Sequence, residues 1–440
     1  MRGCKTFPKG GVHPHDFKNL TSVLAIRNAP IPAHAVIPLH QHLGAPAECV
    51  VQPGDEVGEG MLIGKAAGLI SANVHSPVPG KVVDTGEVYL AQGVRSTVVQ
   101  IGLEGEFDRS GKAWDRLQWE DLDRSVLIER LREQGIVGLG GAAFPTAVKY
   151  TIREGMKAEL FVVNGVECEP YLTADHRLML EKTSEILEGA RIARKALKAT
   201  EVVIAVEENK PDAIEKIRQS IADEDLDFRV VPLKMKYPQG DEKQVLKALT
   251  KREVPSGGLP IDIGAVVSNV GTVFAVYEAL VVGKPLIERV VTVTGSAVKN
   301  PNNLKVRIGT RIGELIEDCG GFREEPGKIV AGGPMMGFAV FDLDTPVTKG
   351  MSGIIALTQR EARKAKQTAC IQCGRCVRAC PLGLSPTRLH KWIDHAEYDE
   401  AIKEGLLDCK ECGCCSFVCP ARLPLVQGMK LGKLMSKKKA

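Results

Sequence analysis

The hydrophobic positions of this chain change their spacing along its length, and the change predicts where strands and helices lie. Short runs of β-branched residues predict strands at 160–163, 202–206 and 228–231, while apolar residues at helical spacing predict helices over 175–199 and 211–222. Strands that alternate with helices in this way are typical of an α/β domain with a parallel sheet. Ligands of such sheets lie at the carboxyl ends of the strands, so we expect a binding site at that edge.

The pattern differs on both sides of this α/β unit. Residues 41–107 contain short β-branched runs separated by Gly and Pro turns, which predicts a small all-β module. Residues 288–345 show a ββαβ pattern, and residues 386–404 are helical in pattern. The sequence therefore predicts a multidomain chain of α/β and all-β parts, and its 440 residues are long enough for about two to four cores.

Both ends of the chain differ from the domains between them. Residues 1–40 are rich in Pro, Gly and His without helical spacing, and we interpret them as an extended arm on a neighbouring domain rather than a metal site. Residues 426–440 form a basic tail that either docks on an anionic membrane surface or stays frayed. No signal peptide opens the chain and no apolar run reaches the roughly 18 residues that span a bilayer, so membrane association is expected through partners.

The composition excludes one class of partner and favours one compartment. The 58 basic and 54 acidic residues nearly balance to a net charge of +4, which gives no clustered basic face for nucleic acid. Eight of the 13 cysteines lie in two regular runs and the others lack paired spacing. Disulfides are therefore not expected, and a reducing cytoplasmic setting is favoured.

The two cysteine runs, within residues 358–425, carry the most specific chemical signal. Each has the spacing C-x2-C-x2-C-x3-C-P, which holds [4Fe-4S] clusters in two-cluster ferredoxins, with the fourth Cys of each run bound to the other cluster. A structural zinc site is the alternative, but it is complete with four ligands and leaves the other cysteines unused. Cys414 lies out of register and is predicted not to be a ligand. The predicted ligands are Cys370, Cys373, Cys376 and Cys419 for the first cluster and Cys409, Cys412, Cys415 and Cys380 for the second.

A glycine-rich loop opens the α/β unit. Gly138, Gly140 and Gly141 leave room for backbone N–H groups to approach a phosphate, and the helix predicted to start near Pro145 directs its positive end to the same place. Lys149, one turn into that helix, can add a charge-assisted hydrogen bond. By itself such a loop is a weak signal that also fits a simple turn.

The first predicted strand ends in a turn with an amide and two carboxylates, Asn164, Glu167 and Glu169. In isolation these residues fit a solvated turn as well as a binding site. Together with the glycine-rich loop, the segment Tyr237-x-x-Gly240-Asp241-Glu242 and the segment Ser268-Asn269-Val270-x-Thr272, the turn resembles, in order and spacing, a known site. It is the flavin and NADH site of the NADH-oxidising flavoprotein subunit of respiratory complex I.

The resemblance implies a Rossmann-like domain over residues 124–287 that binds FMN and NADH. FMN is then expected on the glycine-rich loop, with NADH over the flavin, bounded by Phe144 and by the acidic residues Glu169 and Glu242. The implied cofactor-binding residues are Gly138, Gly140, Gly141, Phe144, Lys149, Asn164, Glu167, Glu169, Tyr237, Gly240, Asp241, Glu242, Ser268, Asn269 and Thr272. The chain departs from the family at Leu139, Val166 and Ser268, where an Arg, an acid and an Asn are usual, and it has two cysteine runs instead of one cluster. We predict no acid–base or nucleophilic catalyst.

Two further parts resemble known modules. Residues 41–107 resemble the barrel-sandwich fold of lipoyl and biotinyl carriers through the Gly54-Asp55 and Ser76-Pro77 turns, but Leu69 stands where the carriers have their modified Lys. A structural or docking role is therefore expected in place of a swinging arm. Residues 288–345 resemble the β-grasp (SLBB-like) module that follows the flavin domain in the complex I family, and an α-helical ferredoxin domain is expected after it.

The order of all these parts resembles the RnfC component of the Rnf ion-translocating ferredoxin:NAD+ oxidoreductase. The resemblance implies an enzyme subunit that passes electrons between NAD(H), FMN and two [4Fe-4S] clusters. Its implied partners are integral membrane and ferredoxin-type subunits of the same complex, with ferredoxin reached indirectly. Its implied location is the cytoplasmic face of the membrane, as a peripheral protein. Two alternatives stay open: a cobalamin reductase of propanediol utilisation, which as a rule lacks the N-terminal module, and a non-catalytic electron-transfer adaptor.

Overall fold

The computed structural model describes residues 4–105, 112–362 and 366–439, and small parts of the predicted arm, all-β module, ferredoxin domain and tail lie outside these ranges. The strands are β1 (Arg27–Asn28), β2 (His34–Pro38), β3 (Glu48–Cys49), β4 (Glu56–Val57), β5 (Leu62–Lys65), β6 (Val74–His75), β7 (Gly80–Asp84), β8 (Glu87–Tyr89), β9 (Arg95–Leu103), β10 (Leu160–Gly165), β11 (Glu201–Glu207), β12 (Arg229–Leu233), β13 (Ala265–Asn269), β14 (Glu288–Thr294), β15 (Asn302–Arg307), β16 (Pro326–Ala331), β17 (Phe338–Val340) and β18 (Gly353–Thr358). The helices are α1 (Arg124–Glu133), α2 (Thr146–Tyr150), α3 (Ala174–Glu181), α4 (Thr183–Leu197), α5 (Pro211–Asp223), α6 (Glu242–Thr250), α7 (Val270–Tyr277), α8 (Ile312–Asp318), α9 (Gln359–Ala362), α10 (Arg375–Ala379), α11 (Pro386–Asp394), α12 (Tyr398–Lys403), α13 (Cys414–Phe417) and α14 (Leu425–Lys439).

The α/β domain contains a parallel sheet of four strands in the order β12-β11-β10-β13. Phe161 and Val163 of β10 face a core shared with α1, α4 and α7, while Val162 faces a second core with Val245 and Leu246 of α6. Burial on both faces explains why β10 and β11 read as continuous apolar runs rather than as alternating ones, whereas β12 at the sheet edge is only partly buried. The predicted α/β fold class is confirmed.

The single helix predicted over residues 175–199 is wrong. Two helices, α3 and α4, meet at Lys182, whose φ of −130° and ψ of 36° lie outside the helical region. Leu178 before the break and Ile186 after it pack into the same core, so the apolar spacing continues across the junction and hides it. In the same way, the helical region predicted at 386–404 is divided into α11 and α12 by Ala396, which has a φ of +58°.

The N-terminal module consists of two small sheets, one in the order β2-β9-β7-β4 with β8 paired to β9, and one in the order β3-β5-β6. Ile37, Ile63, Val82 and Val99 contribute to its single core. Strand β2 lies within residues 1–40, which were predicted to be an extended arm. It belongs to the N-terminal module instead, since its residues pair in antiparallel register with the last part of β9.

The β-grasp part is a mixed sheet of six strands in the order β1-β15-β14-β18-β16-β17, with α8 packed on it. Two of these strands come from outside the predicted range. Strand β1 comes from the arm and pairs in parallel with β15, and β18 pairs with both β14 and β16. A strand of two residues is too short to show an alternating pattern, which is why β1 gave no sequence signal. The exact domain boundaries stay predictions.

The N-terminal arm is extended and joins two domains. Val12 forms an antiparallel bridge with Tyr237 of the α/β domain, and the N–H of Gly11 donates to the carbonyl oxygen of Ala379 in the ferredoxin domain at 2.9 Å. The arm therefore fastens the ferredoxin domain to the α/β domain. In the described part of the chain, no helix has both the length and the apolar character needed to cross a membrane.

Candidate functional site

Two asparagines mark the carboxyl edge of the parallel sheet. Asn164 in β10 and Asn269 in β13 are register partners, so the Asn164 turn and the segment that contains Asn269 lie side by side. The side-chain amide of Asn164 donates to the carbonyl oxygen of Gly240 (2.9 Å), and its Oδ1 accepts the N–H of Val166 (3.0 Å). Asn269 Oδ1 accepts the N–H of Gly271 (2.8 Å) and so caps α7. The two amides thus hold this edge together.

The glycine-rich loop lies on the same edge. The N–H of Leu139 donates to Thr272 Oγ1 at 2.8 Å. A Cβ at Gly140 would lie 3.2 Å from Cβ of Asn269, so any larger residue would have to push Asn269 away by a few tenths of an ångström. Gly141 has a φ of +104°, and a Cβ there would have nothing within 4 Å. Residues 140–142 are exposed, so the loop has room beside it for a ligand, and a glycine-rich backbone of this kind suits an anionic phosphate.

Phe144 and Lys149 follow the loop. Phe144 is half-buried, and its carbonyl oxygen accepts the N–H of Gly138 at 2.8 Å, which closes the loop. Lys149 Nζ donates to Glu242 Oε2 (3.2 Å) and to the carbonyl oxygen of Val267 (2.8 Å). The Lys149 and Glu242 side chains are 30% and 33% exposed, so this ion pair is accessible from the site.

The side chains at the three departures from the family pattern are all buried. Leu139 packs in the core beneath the loop, and Val166 packs in the core on the other face of the sheet. Ser268 Oγ forms a hydrogen bond with the hydroxyl of Tyr150 at 3.1 Å. These departures therefore change the packing under the site rather than its exposed surface.

Glu167, a predicted cofactor-binding residue, has its carboxylate at the start of α3. Its oxygens accept the N–H groups of Asp175 (2.9 Å) and His176 (3.4 Å), and Lys18 Nζ lies 4.0 Å from one of them. Burial lowers the pKa of Lys18, although Glu167 opposes that change. Glu167 therefore positions the Asn164 turn against α3 and the arm, and a direct contact to a cofactor stays a prediction.

Glu169 connects the same turn to the β-grasp part. Its carboxylate accepts the N–H groups of Met335 and Met336, both at 3.0 Å, and the hydroxyl of Tyr237 lies 3.4 Å from Oε1. Protein atoms surround the carboxylate although part of the residue reaches solvent. Burial raises the pKa of Glu169 to about 7, against the opposing effect of these hydrogen bonds. An acid with such a pKa, next to a candidate site, fits a functional role.

The segment around Tyr237 joins the α/β domain to the cysteines. The Tyr237 hydroxyl donates to the carbonyl oxygen of Cys412 at 2.8 Å. The N–H of Gly240 donates to Cys168 Sγ at 3.2 Å, which fixes this segment against the Asn164 turn. Asp241 caps α6 by accepting two backbone N–H groups, and burial raises its pKa.

The four cysteines predicted to hold the second cluster line one cavity, and we call Cys380, Cys409, Cys412 and Cys415 the inner cysteine group. Cys414 lines the same cavity. Both runs contribute, as the exchange of the fourth Cys predicts. Burial raises the pKa of the Cys380 thiol, and the nearby backbone N–H groups of Leu382 and Leu384 oppose that rise. Several thiols around one cavity, with N–H groups facing sulfur, fit an iron–sulfur cluster.

The two cysteine runs fold alike. Gln372 and Glu411 occupy equivalent positions with φ of +54° and +56°. Their N–H groups point to Cys370 Sγ and Cys409 Sγ, each at 3.4 Å. The same spacing therefore produces the same loop twice, so both groups offer N–H donors to a cluster.

The predicted ligands of the first cluster reach the surface, and we call Cys370, Cys373, Cys376 and Cys419 the outer cysteine group. Cys376 and Cys419 are buried, whereas Cys370 and Cys373 are exposed. Cys414, which stays predicted not to be a ligand, is buried beside Val12 and Tyr237, with Sγ 3.9 Å from the carbonyl oxygen of Tyr237. Across residues 4–105, 112–362 and 366–439, no three His, Cys, Asp or Glu side chains are placed to hold a single metal ion.

Sequence reasoning missed two charged residues at the loop. Asp175 Oδ2 accepts the side-chain amide of Asn269 at 2.6 Å, and burial raises the pKa of Asp175 to about 7. Arg289 is buried and donates to the carbonyl oxygens of Leu139 (3.4 Å) and Lys349. Asp175 could have been predicted, because it is an acidic residue that follows the Asn164 turn closely in the sequence. Arg289 could not, because it lies in a distant strand with no motif around it.

Four family models match the chain in the order of the domains just described. The RnfC barrel sandwich hybrid domain matches residues 5–106, the Nuo51 FMN-binding domain matches 131–278, the SLBB domain matches 290–339 and the 4Fe-4S dicluster domain matches 362–421. The solved NAD+-reducing [NiFe]-hydrogenase in its H2-reduced state shares the fold, with a TM-score of 0.51, 18% identity, and coverage of 71% of this chain and 61% of the hydrogenase chain. The fold and the matched models define a multidomain protein with flavin-binding and iron–sulfur domains.

Related sequences identify the family within that class. The chain is 46% identical to the C component of the proton-translocating ferredoxin:NAD(+) oxidoreductase complex of Clostridium ljungdahlii, over 91% of this chain and 87% of the relative. It is 42% identical to the Na(+)-translocating counterpart of Acetobacterium woodii, over 97% of this chain and 96% of the relative, and 44% identical to the C component of the ion-translocating oxidoreductase complex of Rhodobacter capsulatus, over 97% and 82%. The chain belongs to the RnfC family, the C components of ion-translocating oxidoreductase complexes.

Proposed function

We propose that this chain is the NAD(H)-reactive electron-transfer subunit of a membrane-bound, ion-translocating ferredoxin:NAD+ oxidoreductase. The observation that carries the proposal is the Tyr237–Cys412 hydrogen bond, because it joins the carboxyl edge of the parallel sheet directly to the inner cysteine group. The names of the relatives from Clostridium ljungdahlii and Acetobacterium woodii describe this reaction and support the same function here.

The carboxyl edge supplies the groups that FMN and NAD(H) require. The exposed backbone of residues 140–142 would hold the FMN phosphate, and the edge formed by Asn164 and Asn269 would carry the ring system. Phe144 would bound the nicotinamide, and the acids Glu169 and Glu242 would flank it. When bound, FMN supplies both hydride exchange with NAD(H) and single-electron exchange with clusters, which no side chain can do.

The two cysteine groups fit two [4Fe-4S] clusters with different surroundings. The inner cysteine group adjoins Tyr237, whereas two members of the outer cysteine group are exposed at the surface. We therefore assign the inner group to electron exchange with FMN at the carboxyl edge of the parallel sheet. The outer group is assigned to electron exchange with a partner. The protein tunes both clusters through backbone N–H groups directed at sulfur and through burial.

The proposed partners are the integral membrane and ferredoxin-type subunits of the same complex. An exposed outer cysteine group suits short-lived contact with a ferredoxin-type subunit, which would reach ferredoxin in turn. The proposed location is the cytoplasmic face of the membrane, as a peripheral subunit held by these partners. The match of residues 5–106 to the RnfC barrel sandwich model favours this function over a cobalamin reductase.

Anaerobic addition of NADH to the full chain, purified with FMN and its iron, tests the function. We expect the flavin absorbance to bleach and metal analysis to return about eight irons per chain. A full iron content without bleaching and without affinity for NADH would favour the non-catalytic adaptor. Far fewer irons would overturn the assignment of two clusters.

A further inference from the structure

The two cysteine runs fold alike but carry different side chains. Arg375 and Arg378 of the first run occupy the positions that Cys414 and Phe417 have in the second. Cys414 is buried, whereas Arg375 is exposed, so the same loop folds without an arginine at this position. The positive charge of Arg375 is therefore not required by the fold of the loop.

The segments that carry the outer cysteine group have basic side chains and no acidic ones. Residues 362–393 and 412–440 contain neither Asp nor Glu. Arg375, Arg378 and Arg422 are exposed, and in the part of the chain that the structure describes no acidic side chain pairs with any of them. Their positive charges are therefore left for a partner to neutralise.

Contacts place these arginines beside the outer cysteine group. The Arg378 guanidinium donates to the carbonyl oxygen of Cys373 at 3.3 Å, and the N–H of Arg422 donates to the carbonyl oxygen of Cys419 at 3.2 Å. Arg375 immediately precedes the third cysteine of the first run. Each positive charge thus lies on the segment that holds a proposed ligand of the outer cluster.

Exposed apolar side chains occur on the same segments. Ile371 is 65% exposed and Val377 39%, and each is the chain neighbour of a cysteine of the outer group. Phe417, 49% exposed, lies in α13, which packs against α10. Arginine and aromatic side chains are enriched in protein interfaces, where charge guides the encounter and apolar contact holds it. We call the following six residues the docking face: Arg375, Arg378, Arg422, Ile371, Val377 and Phe417.

We propose that the docking face binds an acidic, ferredoxin-type electron carrier. This inference rests on the proposed function, because it requires a cluster in the outer cysteine group. One electron passes in each encounter, so one cluster is oxidised and the other is reduced by one electron, and no bond forms or breaks. Unpaired positive charge attracts a negatively charged partner before contact and raises its association rate. Electron-transfer encounters need only a small interface, so a face of this size suffices.

The test measures binding of the full chain, loaded with FMN and iron, to a bacterial ferredoxin of net negative charge. Anaerobic surface plasmon resonance gives both rates, and cytochrome c, an electron carrier of net positive charge, is the control probe. We expect ferredoxin to bind in low salt and to associate about tenfold more slowly at about 1 M salt, where charges are screened beyond about 3 Å. Cytochrome c should not bind.

Arg375→Glu tests the charge against Arg218→Glu, which changes an exposed arginine of α5 in the α/β domain. We expect Arg375→Glu to slow association with ferredoxin about tenfold in low salt, and Arg218→Glu and Arg375→Lys to keep the wild-type rate. Arg422→Glu repeats the test on the second cysteine run. Ile371→Ser should keep the association rate and raise the dissociation rate about tenfold, because it removes an apolar contact. Iron content shows that each variant keeps its clusters.

The outcomes separate this inference from the proposed function. Equal association rates for Arg375→Glu, Arg422→Glu and Arg218→Glu, or equal binding of cytochrome c, would overturn only this inference. Binding to phosphatidylserine vesicles without binding to ferredoxin would overturn it in favour of an anionic membrane surface. The proposed function fails instead if NADH does not bleach the flavin, whichever partner the docking face binds.

Discussion

The hydroxyl group of Tyr237 donates a hydrogen bond of 2.8 Å to the carbonyl oxygen of Cys412, so the α/β domain holds the backbone of a proposed cluster ligand. Tyr237 is 2% exposed, and its backbone pairs with Val12 of the arm. The arm, the α/β domain and the second cysteine run therefore meet at Tyr237. The position of the inner cysteine group relative to the carboxyl edge of the parallel sheet depends on this junction.

Replacing Tyr237 by Phe keeps the ring and removes the hydrogen bond. We expect the free energy of unfolding to fall by about 1–2 kcal/mol, because a buried carbonyl loses its donor. We also expect the reduction potential of the inner cluster to shift, since hydrogen bonds near the ligands help to set it. Denaturant unfolding and potentiometry followed by EPR measure the two effects. Tyr89→Phe, at an exposed position, is the control, and a Tyr237→Phe variant that behaves like it would contradict this role.

Cys412→Ala and Cys414→Ala distinguish a ligand from its neighbour. Cys412 lines the cavity of the inner cysteine group, and we expect its loss to reduce the iron content from about eight to about four per chain. Cys414 lines the same cavity, but its Sγ lies 3.9 Å from the carbonyl oxygen of Tyr237 and the residue packs beside Val12. We therefore expect Cys414→Ala to keep its iron and lose only about 1 kcal/mol of stability. Metal analysis and EPR read out both variants. Loss of a cluster in Cys414→Ala would show that the register of the second run is misassigned.

Glu169 should make stability depend on pH. Burial raises its pKa from 4.5 to about 7, so between these values the folded protein binds a proton that the unfolded chain releases. The free energy of unfolding therefore falls as the pH rises through this window, by at most about 3 kcal/mol from this group. Glu169→Gln should reduce that slope. Some slope should persist, because the pKa of Asp175 is raised in the same direction. Urea unfolding at several pH values would give equal slopes if Glu169 has no such effect.

Gly141→Ala tests the loop against a matched glycine. Gly141 and Gly257 both have positive φ, +104° and +69°, and a Cβ at either would meet nothing within 4 Å. Each substitution should cost about 1 kcal/mol of stability from backbone strain. Only Gly141→Ala should weaken FMN binding, by about tenfold or more, because it places a methyl group where the phosphate is proposed to lie. Fluorescence titration with FMN measures this, and equal affinities in the two variants would contradict the assigned phosphate site.

Several features could be read directly from the sequence because their causes are local. The spacing of the two cysteine runs fixes their loop conformation, and the equivalent left-handed residues Gln372 and Glu411 show the same result twice. Apolar runs buried on both faces located β10 and β11, a shorter β-branched run located β12, and the glycine pattern located the loop at Gly138. The same local reasoning failed at Lys182, because helices on both sides of the break pack on one core and keep one apolar period.

Other features depended on residues that are far apart in the chain. No spacing predicts that Lys18 approaches Glu167, that Lys349 joins the N-terminal module to Gly135, or that the second cysteine run lies against Tyr237. The sequence alone determined the two iron–sulfur clusters, since cysteine spacing is encoded by neighbouring residues, and it indicated FMN and NAD(H) through the resemblance of its motifs to the complex I flavoprotein subunit. The tertiary structure alone decided that Cys412 lies against Tyr237 and that the N-terminal module borders the glycine-rich loop, because those contacts come from the packing of whole domains.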